Sequence, residues 1–424
     1  MLAAQSIPAR DHALATELVY GVLRWKYRLD DILEKYTRSP YQKMAPGLIQ
    51  ILRVAVYQYL FLSKIPPHAI VNEAVNQANI RFGGKLPSFV NAALRAVLAN
   101  ESRNDSAPSM DAVHLSRWYS HPQWLVRRWI ARFGVETTRR ILAENNQSAP
   151  LICRCNGLKT TLRDLFASLQ EEKMEFAVSL LPGAFQLRTK GRSLRESFSY
   201  KRGLFSVQDL ASQVIAPLLQ ARPGTNVLDA CAAPGGKTAH IADLCSNKVS
   251  LTAVDSSARR LDQTRANLRR LGVKNVRYVV GDLTDKAFVS TLGEFDRILV
   301  DAPCSGLGVL RRNPEARYGI KEEDIPGFAV KQRQITRSLA TLLKPGGKMV
   351  YSVCTVTREE TRDVISAVLE GCPNLQKDGI EASELSEMSY SLAEDGFVET
   401  IPAPAGLLVD GFFAARMVHG GKCE

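Results

Sequence analysis

Two cysteines follow strand-like segments of the sequence at places where a thiolate could act as a nucleophile. Cys304 lies in Asp301-Ala-Pro-Cys-Ser-Gly-Leu-Gly308, and Cys354 lies in Tyr351-Ser-Val-Cys-Thr355. Parallel neighbouring strands end at one edge of a sheet, so we expect the two sulfurs to meet there. A single buried cysteine is usually an inert small hydrophobe. Two cysteines at adjacent strand ends instead favour covalent catalysis.

A thiolate at this edge suits methylation of a pyrimidine ring at carbon 5. Its addition to carbon 6 breaks the aromaticity of the ring and makes carbon 5 nucleophilic enough to accept a methyl group. The reaction also needs a hydrogen-bond partner near N3 of the base and a base to remove the carbon 5 proton. Asp301 and the Pro303 carbonyl are candidates for recognising the ring edge near N3 and N4.

A glycine-rich turn provides a candidate cofactor site. After the strand-like Asn226 to Ala230, the turn carries Cys231, Ala232, Ala233, Pro234, Gly235, Gly236 and Lys237, and the next residues read as a helix. Glycine allows close backbone approach, and a helix amino terminus offers N–H groups to a carboxylate. Two glycines alone are explained more simply by a tight strand-to-helix turn.

Acidic residues at the ends of successive strands strengthen the cofactor interpretation. Asp255, Asp282 and Asp301 follow the second, third and fourth strands of the predicted sheet. Asp255 is placed to accept hydrogen bonds from ribose hydroxyls, and Asp282 is expected nearer the adenine. Neither a G-x-G-x-x-G sequence after the first strand nor a phosphate-binding G-x-x-x-x-G-K-[ST] loop is present, which disfavours dehydrogenases and ATPases.

The elements that must position these residues alternate between strand-like and helical segments from Gly203 onward. Short β-rich segments separated by helices predict an α/β fold with a doubly wound parallel sheet. The predicted strands are Asn226 to Ala230, Ser250 to Val254, Val276 to Val280, Arg297 to Val300 and Lys348 to Val353.

Two further domains are predicted before this core. Residues 11–99 show helical periodicity throughout, and the polar stretch 100–108 reads as a linker. A small α+β module follows, with a helical stretch from Pro122 to Asn145, a strand Leu151 to Cys155 and a helix near Thr161 to Glu172. We therefore predict domains at residues 1–105, 113–200 and 203–424.

The composition indicates a folded protein with a basic surface. The 424 residues include 55 Lys and Arg against 43 Asp and Glu, a formal charge of +12, which favours a polyanionic partner but equally fits a solvated surface. Eight cysteines, including Cys423, show no zinc-type spacing, so we expect no metal site and no disulfide framework. We expect no membrane span, and the cytoplasm is the default compartment.

A basic stretch near residue 200 is a candidate RNA-contact surface. Cations can meet phosphates while aromatic rings stack on bases. A solvated charged loop explains the same residues nearly as well. The stretch contains Arg188, Lys190, Arg192, Arg195, Phe198, Tyr200, Lys201 and Arg202.

With these motifs in place, the sequence resembles the RNA 5-methylcytosine methyltransferases of the Fmu/Sun type, in the RsmB/NOP family. The likeness covers nearly the whole chain, with its specific part in Cys231 to Lys237, Asp301 to Cys304, and Cys354 followed by Glu359-Glu360. Segments 65–75 and 90–95 are similar to the family's NusB-like helical RNA-binding domain, 203–209 to the opening of its catalytic core, and 411–413 to its last strand.

The resemblance implies a class I Rossmann-like S-adenosylmethionine methyltransferase core, an all-α NusB-like amino-terminal domain and a small α+β middle module. It implies that residues 231–237, Asp255, Asp282 and Asp301 bind S-adenosyl-L-methionine. It also implies that Cys354 forms the covalent adduct and Cys304 assists release. The implied substrate is RNA, with 16S ribosomal RNA foremost, and no obligate protein partner is evident.

The sequence departs from the family pattern at three positions. Val353 and Thr355 flank Cys354 where Thr and Ser are common, and Thr361 stands where Asn is usual. We expect weaker hydrogen bonding around the reacting cysteine but not a loss of the chemistry. The chain also begins within or just after the family's first helix.

Two other functions stay open at this point. A non-catalytic NusB-like RNA-binding or transcription-assembly protein would explain the charge and the helical region but not the paired cysteines. An enzyme that methylates a ring or exocyclic nitrogen needs no thiol and often carries an Asn/Asp-Pro-Pro-aromatic motif, which is absent here.

Overall fold

The computed structural model describes residues 11–37, 41–101, 109–189, 193–402 and 409–420. Lys190, Arg192, Cys423 and most of the predicted linker lie outside these ranges. The chain forms two compact units, Met1–Gln147 with Arg317–Gly319 and Ser148–Ala316 with Ile320–Glu424. The domain limits predicted above stay predictions.

The first unit is helical, as its periodicity predicts. Apolar residues spaced by three and four positions, such as Leu29, Ile32 and Leu33, are 0–3% exposed and face one shared core. The helices are α1 (His12–Tyr36), α2 (Pro46–Phe61), α3 (Pro67–Arg81), α4 (Leu86–Asn100), α5 (Ala112–Trp118), α6 (Gln123–Phe133) and α7 (Val135–Asn145), with a 3-10 turn at Tyr41–Lys43.

The single helical stretch expected from Pro122 to Asn145 is two helices. Gly134 lies between α6 and α7 with φ of 77°, in a region that favours glycine. Its N–H closes α6 by donating to the Ile130 carbonyl, and the chain then starts a new helix.

The second unit begins with a four-stranded antiparallel sheet in the order β2-β3-β1-β4. Leu165 and Leu169 of its first helix pack with Phe185 of the sheet, all three 0% exposed, in a core of their own. The strands are β1 (Leu151–Cys155), β2 (Glu175–Val178), β3 (Ala184–Arg188) and β4 (Phe205–Val207), and the helices are α8 (Leu162–Glu171) and α9 (Phe198–Lys201) after a 3-10 turn at Leu194–Glu196.

The remaining strands form one eight-stranded sheet. They are β5 (Asn226–Ala230), β6 (Ser250–Asp255), β7 (Val276–Val280), β8 (Phe295–Asp301), β9 (Leu343–Val353), β10 (Leu375–Lys377), β11 (Val398–Thr400) and β12 (Phe412–His419). The helices of this part of the chain are α10 (Leu210–Leu218), α11 (Gly236–Leu244), α12 (Ala258–Leu271), α13 (Lys286–Ser290), α15 (Ile325–Ala340) and α16 (Arg362–Gly371), with 3-10 segments at Glu322–Asp324 and Ala382–Ser391. The short helix α14 (Ala316–Gly319) lies between α13 and α15 in the sequence, and its residues Arg317–Gly319 belong to the first unit.

The strand order identifies a Rossmann-like core. The order is β10-β12-β9-β8-β5-β6-β7, with parallel pairing from β9 to β7 and an antiparallel β12 between β9 and β10. The chain reverses direction across the sheet at β5, so a crevice opens where β5, β6 and β8 end. The predicted fold class is confirmed.

Helices cover both faces of this sheet because its central strands are apolar on both sides. In β8, Ile298 and Val300 join the core that contains α15 and α16, whereas Leu299 joins the core that contains α10 and α11. Alternate side chains of a strand point to opposite faces, so one short apolar run serves both cores.

Candidate active site

The register of β8 and β9 brings the two predicted cysteines together. Asp301 at the end of β8 pairs with Ser352 near the end of β9. Cys304 and Cys354 follow these residues, and their Sγ atoms lie 3.3 Å apart. Both side chains are partly exposed, unlike those of the core cysteines.

The segment after β8 is fastened at two points beyond Cys304. The Gly308 N–H donates to the Cys354 carbonyl at 3.0 Å, and the Gly411 N–H donates to the Gly308 carbonyl at 2.8 Å. A Cβ on Gly308 would lie 2.0 Å from the Gly411 carbonyl oxygen, so only glycine permits this approach.

The pKa of the Cys304 thiol is raised well above its ordinary value. Its hydrogen bond with Cys354 contributes most, followed by burial and by the negative charge of Glu360. Cys304 is therefore held as a neutral thiol that can donate toward the sulfur of Cys354.

Lys237 connects the glycine-rich turn with the reacting residues. Its Nζ donates to Oδ2 of Asp301 at 2.7 Å, and Ser352 Oγ donates to Oδ1 of the same carboxylate at 2.8 Å. Burial alone would lower the pKa of Lys237, but Asp301 and the Cys354 sulfur outweigh it and the pKa is raised. The ammonium form is thus retained beside the cysteine pair.

The turn itself is shaped to bring backbone close to a ligand. The Ala232 N–H donates to the Val254 carbonyl, the Ala233–Pro234 peptide is cis, and Gly235 has φ of 92°. A Cβ on Gly236, the first residue of α11, would meet nothing within 4 Å. Open space in front of a helix amino terminus suits a carboxylate.

Cys231 directly follows β5 and is held in the left-handed region at φ of 63°. Burial raises the pKa of its thiol to about 12, with Asp301 and Asp255 adding to the effect. This cysteine is therefore a neutral part of the turn and not a nucleophile.

Asp255 and Asp282 lie at the predicted strand ends but in different surroundings. Asp255 is 2% exposed and accepts from the Ala233 N–H at 3.3 Å and the Ser257 N–H at 3.0 Å. Asp282 is exposed, and hydrogen bonds from Thr284 lower its pKa. Asp255 thus holds the turn and borders the crevice, while Asp282 is available to solvent.

Sequence reasoning assigned no role to Asp229, which is 1% exposed on β5. Thr238 Oγ1 donates to its Oδ2 at 2.5 Å, and its Oδ1 has no hydrogen-bond partner among the residues that the structure describes. Burial raises the pKa of Asp229 to about 7. The sequence feature that could have indicated a role for Asp229 is its position two residues before Cys231, the first residue of the turn.

Two of the expected departures from the family pattern keep hydrogen bonds near the cysteines. Thr355 Oγ1 lies 3.0 Å from Ser305 Oγ, and Thr361 Oγ1 donates to the Thr357 carbonyl at 2.7 Å. Val353 is wholly buried in the core of the sheet.

The basic stretch near residue 200 is exposed where it is described. Arg188, Arg195, Lys201 and Arg202 are exposed, and Phe198 is 59% exposed beneath the Arg202 guanidinium, 5.3 Å from its ring centroid. Cations and an accessible ring therefore lie together on the surface of the second unit.

Among the described residues, no cluster of His, Cys, Asp and Glu could hold a metal ion. Within the same ranges, no helix has both the length and the apolar character needed to cross a membrane.

Three family descriptions match consecutive parts of the chain. The NusB family matches residues 1–99, a Methyltr_RsmF/B-like ferredoxin-like domain matches residues 121–192, and 16S rRNA methyltransferase RsmB/F matches residues 216–418.

Curated and solved relatives extend these matches over most of the chain. The chain is 36% identical to the probable ribosomal RNA small subunit methyltransferase B of Bacillus subtilis (strain 168), covering 97% of this chain and 91% of the relative. It is 28% identical to a methyltransferase homolog protein from Pyrococcus horikoshii, with a TM-score of 0.61 over 74% of this chain and 100% of that one. NSun6 from Pyrococcus horikoshii with SFG is 24% identical and shares the fold, with a TM-score of 0.62 over 70% of this chain and 98% of that one.

Proposed function

The chain belongs to the RsmB/F family of 16S rRNA methyltransferases, and from this premise we propose that it methylates carbon 5 of a cytosine in 16S ribosomal RNA. As a family member it is an S-adenosylmethionine-dependent RNA methyltransferase. The observation that carries the finer proposal is the 3.3 Å contact between the sulfurs of Cys304 and Cys354. Methylation of a nitrogen would need neither sulfur.

Cys354 is the proposed nucleophile. The Lys237 ammonium stabilises negative charge in this region, and the neutral thiol of Cys304 can donate a hydrogen bond to the Cys354 thiolate. The thiolate adds to carbon 6 of cytosine and forms an S–C bond, while the electron pair of the ring moves toward carbon 5. Carbon 5 would then take the methyl group, and the electron pair of the broken S–CH3 bond would stay on the sulfur of the methyl donor.

Release requires loss of the carbon 5 proton and cleavage of the S–C bond. The carbon 5 proton passes to a water molecule, the electron pair of the C5–H bond restores the ring double bond, and Cys354 leaves as a thiolate. Cys304 lies beside the sulfur that must leave, so we assign it to this step as the thiol that donates a hydrogen bond to the departing thiolate. Asp301, which holds Lys237 and Ser352, faces the same edge and is assigned to the N3 and N4 side of the base.

The turn from Cys231 to Lys237 fits S-adenosylmethionine. The open space at Gly236 and the helix amino terminus suit the carboxylate of its methionine part, and Asp255 and Asp282 border the side where its ribose and adenine would lie. When bound, the cofactor supplies an electrophilic methyl group. Asp301 reaches this site through its ion pair with Lys237.

The exposed surface around Phe198, Lys201 and Arg202 is proposed to contact RNA. Its cations can pair with phosphates, and the ring of Phe198 can stack on an unpaired base. With a ribosomal RNA substrate, the expected compartment is the cytoplasm.

The proposal is tested by methylating RNA with the wild-type chain and two variants. The wild type should yield 5-methylcytosine in 16S ribosomal RNA, detected by mass spectrometry of digested nucleosides. Cys354→Ala should lower the rate at least about a thousandfold. Cys304→Ala should instead accumulate a covalent protein–RNA complex that resists denaturing electrophoresis, because release is slowed.

Each outcome separates this function from its rivals. N4-methylcytosine in place of 5-methylcytosine would replace the proposal with nitrogen methylation. A trapped complex in Cys354→Ala but not in Cys304→Ala would exchange the two roles. RNA binding without methyl transfer, by protein shown to bind the methyl donor, would favour a non-catalytic binding protein.

A further inference from the structure

A buried carboxylate lies behind the two cysteines. Glu360 is 0% exposed, and its side chain receives hydrogen bonds from three different segments. Ser305, next to Cys304, donates its N–H at 2.8 Å and its Oγ at 2.6 Å, and Thr357 donates its Oγ1 at 2.7 Å. The loop that carries one cysteine is therefore tied to the segment that follows the other.

A third element joins the same carboxylate. Gln332 on α15 is 0% exposed, and its Nε2 donates to Oε1 of Glu360 and to the Pro303 carbonyl, both at 3.0 Å. Pro303 directly precedes Cys304. The amide thus fixes the loop on one side of the cysteine while Ser305 fixes it on the other.

The two loops also touch each other through hydroxyl groups. Ser305 Oγ lies 3.0 Å from Thr355 Oγ1, and each of these residues directly follows one of the cysteines. The Tyr351 hydroxyl donates to the Glu360 carbonyl at 2.7 Å, so β9 is attached as well.

The donors described around Glu360 are neutral: an amide N–H, three hydroxyls and a side-chain amide. A buried carboxylate costs considerable desolvation energy, and neutral donors recover only part of it. Well-packed apolar residues could join the same loops at lower cost, so stability alone explains this residue poorly.

We propose that Glu360 is a positioning residue that holds the Cys304 loop against the Cys354 loop and so sets the contact between the two sulfurs. The claim that Glu360 positions the two loops rests on the geometry alone. The claim that Glu360 affects catalysis rests on the proposed function. Cys304 and Cys354 remain the residues that meet the substrate.

The negative charge of Glu360 also affects the protonation of Cys304. Together with the stronger effects of the Cys354 hydrogen bond and burial, it raises the pKa of the Cys304 thiol. Cys304 stays protonated beside a second sulfur, which leaves Cys354 as the one that attacks.

The geometric claim is tested by cross-linking the native thiols with diamide. Both thiols give up a proton and an electron, the S–S bond forms, and the N=N bond of diamide becomes a hydrazine. The rate is followed by mass spectrometry of unreduced peptides. Glu360→Ala should form the Cys304–Cys354 disulfide at least about tenfold more slowly, and Glu360→Gln within about threefold of wild type, because the amide keeps the shape and one acceptor.

A matched control removes another hydrogen-bonded carboxylate of the same unit. Glu384 accepts from Gln220 and Arg416, and Glu384→Ala should cross-link at the wild-type rate. Wild-type cross-linking in Glu360→Ala, or equal slowing in Glu384→Ala, would overturn the proposal. Should Glu360→Ala fail to fold, Ser305→Ala must slow cross-linking by about threefold for the proposal to stand.

Methyl transfer gives the second readout. Glu360→Ala should lower kcat about tenfold or more with little change in KM, since it misaligns groups without removing a substrate contact. In Glu360→Gln the pH profile of adduct release should move to lower pH, because loss of the negative charge lowers the pKa of Cys304. If no variant makes 5-methylcytosine, cross-linking still decides the geometric claim by itself.

Discussion

Two pairs of cysteines differ in how far apart they lie in the sequence and in what surrounds them in the structure. Cys153 and Cys155 are two positions apart on β1 and both are buried among the aromatic and aliphatic residues of the antiparallel sheet. Cys304 and Cys354 are separated by 50 positions, yet their sulfurs are 3.3 Å apart at the edge of the parallel sheet. The second pair lies beside the Lys237 ammonium and a loop that can receive a ligand.

The difference shows that environment, and not spacing, makes a thiol reactive. Burial raises the pKa of Cys155 to about 11 and raises that of Cys153 further, even though Arg154 stands between them. The Arg154 guanidinium is instead paired with Asp243. At the active site, strand ends leave the sulfurs partly exposed and polar groups surround them.

The rate of alkylation should show the largest difference between the two pairs of cysteines. In native protein at pH 8, iodoacetamide should modify Cys354 first and Cys155 about a hundredfold more slowly, because a thiol with a pKa near 11 is almost wholly protonated there and Cys155 is buried. Quantitative peptide mass spectrometry measures each site. Labelling of Cys155 should rise about tenfold per pH unit up to its pKa. Equal alkylation rates for Cys155 and Cys354 at pH 8 would show that the two pairs do not differ in thiol reactivity.

Replacing Lys237 should make Cys304 and Cys354 less reactive, and so closer in reactivity to the buried Cys153 and Cys155. Lys237→Met should lower the single-turnover rate of methyl transfer about tenfold to a hundredfold, because negative charge at the cysteine pair loses the nearby ammonium group. Lys237→Arg should retain more activity. Calorimetry with the methyl donor separates a loss of cofactor binding, and a wild-type rate for Lys237→Met in saturating donor would contradict the assigned effect.

Substitution of Cys153 should change the free energy of unfolding and leave kcat unchanged. Cys153→Ser places a hydroxyl at a site that is 0% exposed and should lower the free energy of unfolding by about 2 kcal/mol. Cys153→Ala should cost less, because it adds no polar group. Urea denaturation measures the change, and both variants should keep the wild-type kcat. A large loss of kcat in a folded variant would give this pair an unexpected role.

Much of the core could be predicted from the sequence because its strands are short, apolar and clearly bounded. β5 and β7 begin and end where the pattern placed them, and β1 does too. β9 begins at Leu343, five residues before the predicted Lys348, because its pairing with β8 shifts register between Phe295 and Arg297. Such an irregularity depends on the partner strand and leaves no local pattern.

Side-chain partners that are distant in sequence were the part that could not be predicted. Arg311 and Arg312 lie a few residues after Cys304, and their place in the sequence does not show which groups they contact. Arg311 is 2% exposed, and Arg312 is bound to Asp209 and Asp410. Gln332 gave no signal either, because only the packing of α15 brings its amide to Pro303.

The close approach of Gly308 and Gly411 bears on how the protein matures during synthesis. The ribosome delivers β12 after the other described strands of the sheet, yet Gly411, the residue just before β12, contacts the loop that carries Cys304. A nascent chain that already displays both sulfurs and the glycine-rich turn would therefore lack one wall of the pocket. The loop that carries Cys304 should therefore take its final position only when β12 has paired with β9.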